Sequence, residues 1–242
     1  MTVDYKRRIE RAEELAVSMP EAAELLTFYA GLAPLQQSLF DRTSTDVNVV
    51  AEFVDPLLDL LRRSAPEPLR SFTVAREDLQ RMFLAYWGGD RSESPDTQFF
   101  LRALAQPYWE RMVAGSTPVS QTTTATCPFC HSKPVVAVLR GEGEGAKRSL
   151  VCSLCSTEWP FRRVACPGCG EGDKDKLPVL IAEELAHVRI EACDTCRVYI
   201  KSVDLTRNGH AEPIVDEIAS VALDLRAAED GYSKLECNLL GI

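Results

Sequence analysis

Eight of the chain's nine cysteines stand in four Cys-x-x-Cys pairs: Cys127/Cys130, Cys152/Cys155, Cys166/Cys169 and Cys193/Cys196. Two thiolates three residues apart grip one side of a tetrahedral ion, and a second pair completes four sulfur ligands. Four pairs imply two metal ions, each in a four-cysteine site. Gaps of 21, 10 and 23 residues separate the pairs, so a long loop recurs on either side of a short connector. Read as a tandem repeat, this joins Cys127, Cys130, Cys152 and Cys155 in one site and Cys166, Cys169, Cys193 and Cys196 in another. An interleaved arrangement, first pair with third and second with fourth, also stays open, because spacing alone does not fix pairing.

Disulfides are the competing use of paired cysteines, and they need an oxidising compartment. The opening run MTVDYKRRIERAEELAV is charged throughout its first fifteen residues and has no apolar segment of the signal-peptide kind. No stretch approaches the ~20 apolar residues of a membrane span. The expected location is therefore the cytoplasm, without integral membrane association, where paired cysteines more often bind metal. The C-x2-C-x2-C run of a ferredoxin-type cluster is absent.

A closed tetrathiolate has two uses. Structural zinc turns metal-binding energy into folding energy for a module too short to build a large core. Iron in the same cage passes one electron, as in rubredoxin. Rubredoxin knuckles favour C-P-x-C-G, where glycine permits the tight turn, and only Cys166-Pro167-Gly168-Cys169-Gly170 meets that in full. Iron and zinc both stay open. Closed sites leave no position for a metal-bound water, and His131, His187 and His210 are isolated, so hydrolytic catalysis is not expected and the chain is read as a non-enzyme. Cys237 is unpaired, either an inert thiol or a sulfur handler. Trp159, Arg162 and Arg163 lie in the connector between repeats, where they either pack the two ribbons and offset thiolate charge or form a partner-binding surface.

The elements that position these groups divide the chain. Residues 1–114 carry helical stripes with no cysteine: about Asp4–Met19 with Ile9, Ala12, Leu15, Ala16 and Met19, then a helix from Pro20 that Gly31 and Pro34 should bend or end before Leu39. Further helices are expected from about Asp46, over Ala75–Trp87 and over Thr97–Val113, giving an all-α domain whose aromatics Phe28, Tyr29, Trp87 and Trp109 read as core, with the lining of a partner groove as the alternative. The small, polar residues 115–126 read as a linker. Two metal modules follow, 127–165 and 166–242, each a knuckle, a hairpin and a knuckle. Strands are expected at Val135–Leu139, Leu177–Ile181, Val188–Ile190 and Val198–Val203, with Gly141–Gly145 at a hairpin tip. A last helix, about Pro213–Ala228, carries the stripe Ile214, Ile218, Val221 and Leu225, with Gly231 as its stop. Net charge is −9, and both halves are acidic, 13 basic against 18 acidic residues before Cys127 and 14 against 18 from there on. Neither half has the basic stripe of a nucleic-acid binder, so no nucleic-acid partner is expected.

The strings LVCSLCSTEWPFRRVACPGCG, EACDTCRVYIKSVD and IVDEIASVALDLRAAEDGYSKLECNLLGI closely resemble the formate dehydrogenase accessory protein family, FdhE. The resemblance covers residues 127–242 and is looser over the helical half, where PEAAELLTFYAGLAPLQ supports it. It implies an α+β multidomain fold, an all-α N-terminal domain followed by two tandem rubredoxin-like or zinc-ribbon modules and a C-terminal helix. It implies a cytoplasmic accessory factor whose partner is the catalytic subunit of formate dehydrogenase, a molybdenum or tungsten enzyme. The eight paired cysteines match the family's metal ligands, and Trp159 and Arg163 match its connector. His131 departs from the glycine common after the first knuckle, which bears on the turn there.

Overall fold

The computed structural model describes residues 3–43, 47–116, 124–143, 145–181 and 185–242. Helix α1 (Tyr5–Ser18) starts where the Asp4 carboxylate accepts from Arg7 N at 3.0 Å. Ala12, Leu15 and Met19 are buried as expected, but the inner face also carries Tyr5, Arg8 and Arg11. Two buried arginines on an apolar stripe require carboxylates opposite them, and those come from distant elements.

Helix α2 (Ala23–Arg42) continues through Gly31 and Pro34, so of the expected bend or end before Leu39 the end does not occur. A proline inside a helix costs ~3 kcal/mol. Leu26, Phe28, Tyr29, Leu32 and Leu39 are all buried along α2, and each such side chain contributes about 1.5–3 kcal/mol, so burial outweighs the lost bond. The next segment starts as a 3-10 helix, Val47–Phe53, and becomes α3 (Val54–Ser64); Asp46, its expected start, lies outside the described residues. Pro56 lies in the first turn of α3, where its missing N–H costs no helical hydrogen bond. Helices α4 (Arg76–Trp87) and α5 (Pro95–Val113) fall within two residues of expectation, α5 capped by Ser94. The expected linker, 115–126, lies largely outside the described residues.

The second half builds one sheet from β1 (Pro134–Glu142), β2 (Gly145–Cys152), β3 (Glu158–Pro160), β4 (Val179–Ile181), β5 (Val188–Ala192), β6 (Val198–Asp204) and β7 (Ser233–Lys234). The order is β3-β2-β1-β6-β5-β4, with β7 beside β6. Each repeat thus forms the same antiparallel three-stranded meander. The two join where β1 lies parallel to β6, Val136 opposite Lys201 and Leu139 opposite Asp204. Val135 to Leu139 are all buried, as an unalternating apolar run on a strand covered on both faces must be. Strand β2 is the returning strand of the hairpin expected at Gly141–Gly145, and the short β3 is an addition to the expected set.

Helix α6 (Pro213–Ala219) packs on β1 and β6 and also meets α1 and α2. The expected continuous C-terminal helix is broken at Ser220 (φ −88°, ψ 36°), and α7 (Val221–Glu229) follows in a new phase. The cause lies below the break. Lys201 is fully buried, and its Nζ donates to Glu217 O and Ser220 O, carbonyls a continuous helix would occupy, and pairs with Asp224 Oδ2 at 2.6 Å. The phase change turns Leu225 to solvent and buries Leu223, Asp224 and Ala227 instead. Gly231, with φ +78°, closes the element.

Candidate metal centres

Each Cys-x-x-Cys pair sits in a tight turn of the same build. The residue after the second cysteine is left-handed in all four: His131 (φ +59°), Ser156 (+52°), Gly170 (+81°) and Arg197 (+59°). His131, Gly170 and Arg197 donate their backbone N–H to the first cysteine's carbonyl at 3.0, 2.9 and 2.8 Å. The glycine the turn favours is present once, and three L-residues accept a conformational cost of about 1 kcal/mol each. His131 therefore departs from glycine in identity and keeps the turn. Gly168 is required for a different reason: a Cβ there would lie 2.8 Å from Val198 Cγ2 and 3.4 Å from Cys166 Sγ.

The turns bring the sulfurs together in sequential order. Cys127, Cys130, Cys152 and Cys155 form one cluster, and Cys166, Cys169, Cys193 and Cys196 the other, the ligand atoms of each within 4.8 Å of one another. Three Sγ pairs of the first cluster lie 3.3–3.5 Å apart and two of the second 3.6–3.7 Å. A tetrahedral ion with ~2.3 Å bonds sets its sulfurs about 3.8 Å apart. The donor set therefore fits one ion per cluster, zinc or iron alike. All nine cysteines are free, and these separations are far beyond a disulfide bond, ~2.05 Å.

Electrostatics within the first cluster shows why a cation suits it. Hydrogen bonds from Cys127, Cys152 and Cys155 hold the Cys130 thiol far below its ordinary range, while burial pushes Cys152 well above it. Without a cation only part of the set ionises, and a divalent ion takes the place of the remaining protons. Backbone N–H groups add to this: Leu154 N and Cys155 N donate to Cys152 Sγ at 3.3 and 3.4 Å, and Gly168 N to Cys166 Sγ at 3.2 Å. The clusters differ in exposure. Cys127, Cys152 and Cys155 are buried, whereas Cys169 is exposed.

Buried charges absent from the sequence reading hold these centres in place. Ser156 Oγ and Arg8 Nη1 both donate to Glu110 Oε1, at 2.5 and 2.9 Å, and Arg8 Nη2 reaches Ser156 Oγ at 3.0 Å. Asp216 accepts from Arg11 at 2.7 Å and lies 2.7 Å from His187 Nε2, so His187 is tied to a buried carboxylate rather than isolated. Arg148 crosses the seam between modules to Glu191 Oε2 at 2.7 Å and donates to the connector carbonyls of Arg162 and Ala165.

The candidate partner surface needs one correction. Trp159 is 1% exposed, pairs with Leu150 across β2–β3 and donates its indole N–H to Thr124 O at 2.9 Å. It lies at the sheet edge away from the second module, so it packs the first ribbon and neither bridges the two nor meets a partner. Arg162 and Arg163 are exposed and bind the carbonyls of Gly170 and Ala146, not thiolates. Cys237 is also exposed. Among the described residues no helix is long and apolar enough to cross a membrane.

This architecture has known counterparts. Residues 126–163 match the central domain of FdhE and residues 164–240 its C-terminal domain. A protein FdhE homolog of Pseudomonas aeruginosa is 31% identical over 280 aligned positions, covering 98% of this chain and 89% of that protein. The chain belongs to the FdhE family. An FdhE homolog of Aquifex aeolicus is 44% identical over 117 residues, 48% of this chain and 41% of that protein. The crystal structure of the FdhE protein from Pseudomonas aeruginosa superposes with a TM-score of 0.73 at 28% identity, over 98% of this chain and 95% of that one. The FdhE fold therefore extends over the helical region, where the sequence resemblance is looser.

Proposed function

We propose that this FdhE-family chain is an accessory factor in the maturation of formate dehydrogenase, binding the enzyme's catalytic subunit in the cytoplasm and performing no turnover of its own. The observation that carries the reading is family membership along nearly the full chain, joined to two cysteine clusters with all four ligands supplied by protein. The eight paired cysteines hold the metals in this reading. A bound ion supplies rigidity and, if it is iron, one-electron chemistry. The chain's own residues do the remainder. The left-handed turns aim the sulfurs, the Glu110–Arg8–Ser156 contacts fix the first cluster to the helices, and Arg148–Glu191 keeps the two modules in register.

Deleting the gene in its own host tests this. Formate dehydrogenase activity should fall while its catalytic subunit is still synthesised, and the intact gene should restore it. Unchanged activity would refute the reading. A second reading, one-electron transfer to the client, is favoured by the exposure of Cys169, which brings the second cluster to the surface. Protein loaded only with zinc separates the two, since it should restore activity in the first reading and fail in the second.

A further inference from the structure

Five residues beyond the first cysteine of each pair, the four turns reach the same point. Ser132, Thr157, Glu171 and Val198 each accept that cysteine's backbone N–H through their own carbonyl, at 2.8–2.9 Å. The backbone is equivalent at this position and the side chains are not. Ser132 and Thr157 bring hydroxyls to the first cluster, whereas Glu171 and Val198 bring none to the second. The Glu171 carboxylate accepts from Thr195 Oγ1 at 2.6 Å and from Gly172 N and Asp173 N, both at 3.0 Å, so the nearby hydroxyl of Thr195 is also directed away from sulfur. Backbone N–H donors to sulfur occur in both clusters, at Cys152 and at Cys166, which leaves the hydroxyls as the difference.

Thr157 Oγ1 lies 3.1 Å from Cys155 Sγ. Between a thiol and a hydroxyl either group could donate, but a metal ligand is a thiolate without a proton, so in the loaded centre the hydroxyl is the donor. Cys155 is buried and Thr157 half-buried, which limits competition from water for this bond. Four thiolates around a divalent ion carry formally −2, and around a trivalent ion −1. A donor to sulfur stabilises the more negative state more, and hydrogen bonds to sulfur are among the factors that set the potential of such centres. Removing one hydroxyl leaves every other charge near the cluster in place, so the comparison of variant with parent isolates this bond.

We propose that Thr157 is a positioning residue of the first metal centre, acting through Cys155: its hydroxyl donates to the Cys155 thiolate and, when the ion is iron, favours the ferrous state. The matching residue of the second centre, Val198, has no such group. The assignment goes beyond the accessory reading and does not rest on it, since it concerns the metal-loaded chain alone.

The test is spectroelectrochemistry of the full-length protein reconstituted with iron in both centres. Each iron takes one electron from the electrode, Fe(III) becoming Fe(II), with no bond made or broken at sulfur. Thr157→Val removes the hydroxyl and keeps the branched shape, and the fold already accepts valine at this turn position in Val198. It should lower the potential of one centre by about tenfold in the redox equilibrium constant, ~59 mV for one electron, and leave the other unmoved. The sulfur-to-iron charge-transfer band of the same centre should move to longer wavelength, because sulfur relieved of a donor gives up electron density more readily. Thr157→Ser, which keeps the hydroxyl, should match the parent in both measurements. Unchanged potentials in Thr157→Val, an equal shift of both centres, or a shift that Thr157→Ser reproduces would overturn the proposal. A shift confined to one centre, found alongside undiminished formate dehydrogenase activity in the gene deletion, would support the role of Thr157 and refute only the accessory reading.

Discussion

Ser156, the left-handed residue that follows the fourth cysteine of the first cluster, donates its hydroxyl to the fully buried carboxylate of Glu110 on α5 at 2.5 Å. A metal turn and a helix 46 residues away in sequence thus share one hydrogen bond, with Arg8 of α1 bound to both residues. The first metal centre and the helical region are held as one unit.

Glu110→Ala should therefore cost more than a cavity. It leaves the buried Arg8 guanidinium with Glu212 alone, 3.6 Å from its Nε, and the Tyr5 hydroxyl without its acceptor. Breaking a buried pair from one side costs about 3–5 kcal/mol. Urea unfolding followed by the helical circular dichroism signal should show that loss. A change below about 1 kcal/mol, the scale of a surface ion pair, would show that Arg8 finds water or another partner.

Cysteine substitution should separate the centres. Parent protein should bind about two metal ions per chain and Cys127→Ser about one, the second cluster remaining filled. Thermal melting of the helices should fall in Cys127→Ser and change less in Cys166→Ser, because Ser156 ties only the first cluster to α5. Metal analysis and melting curves check both. Loss of both metals from either variant would refute sequential pairing.

The clusters should also differ in lability. Attack by a chelator needs a path to sulfur, and exposed Cys169 offers a wider one than Cys130, the half-buried thiol of the first cluster. Under a colorimetric chelator, release should be biphasic, and Cys166→Ser should abolish the fast phase. A fast phase lost instead in Cys127→Ser would reverse the assignment.

The pairs Cys127/Cys130 to Cys193/Cys196 are legible because their spacing is itself the chemistry, and α1, α4 and α5 because an apolar stripe reports its own helix. What escapes depends on partners far away in the chain. Arg8 and Arg11 stand in phase with Tyr5, Ala12 and Leu15, a signal visible in sequence, but their carboxylates are 102 and 205 residues distant. The break at Ser220 follows from Lys201 beneath it, and β2 tolerates Arg148 inside the fold because Glu191 of the other module receives it. Trp159 is misplaced from sequence for the same reason, since a connector residue shows its strand pairing only once β3 has joined β2.

Acid should weaken the C-terminal region through Glu217. Burial raises this carboxyl, but Lys201 and Lys234 outweigh burial and lower it from the ordinary 4.5 to about 2. A carboxyl depressed in the folded state stabilises it fully above the unfolded value, and that stability is lost as pH falls from about 4.5 toward 2. Glu217→Gln should flatten the pH dependence of unfolding in that window when compared with parent at equal metal content. Parallel curves would show that Glu217 titrates normally.

The most direct test of the accessory role is capture. Anaerobically purified, metal-loaded protein on a solid support should retain the catalytic subunit of formate dehydrogenase from its own host, and protein carrying Cys127→Ser and Cys166→Ser should not. Failure of the intact, metal-loaded protein to retain that subunit would contradict the account.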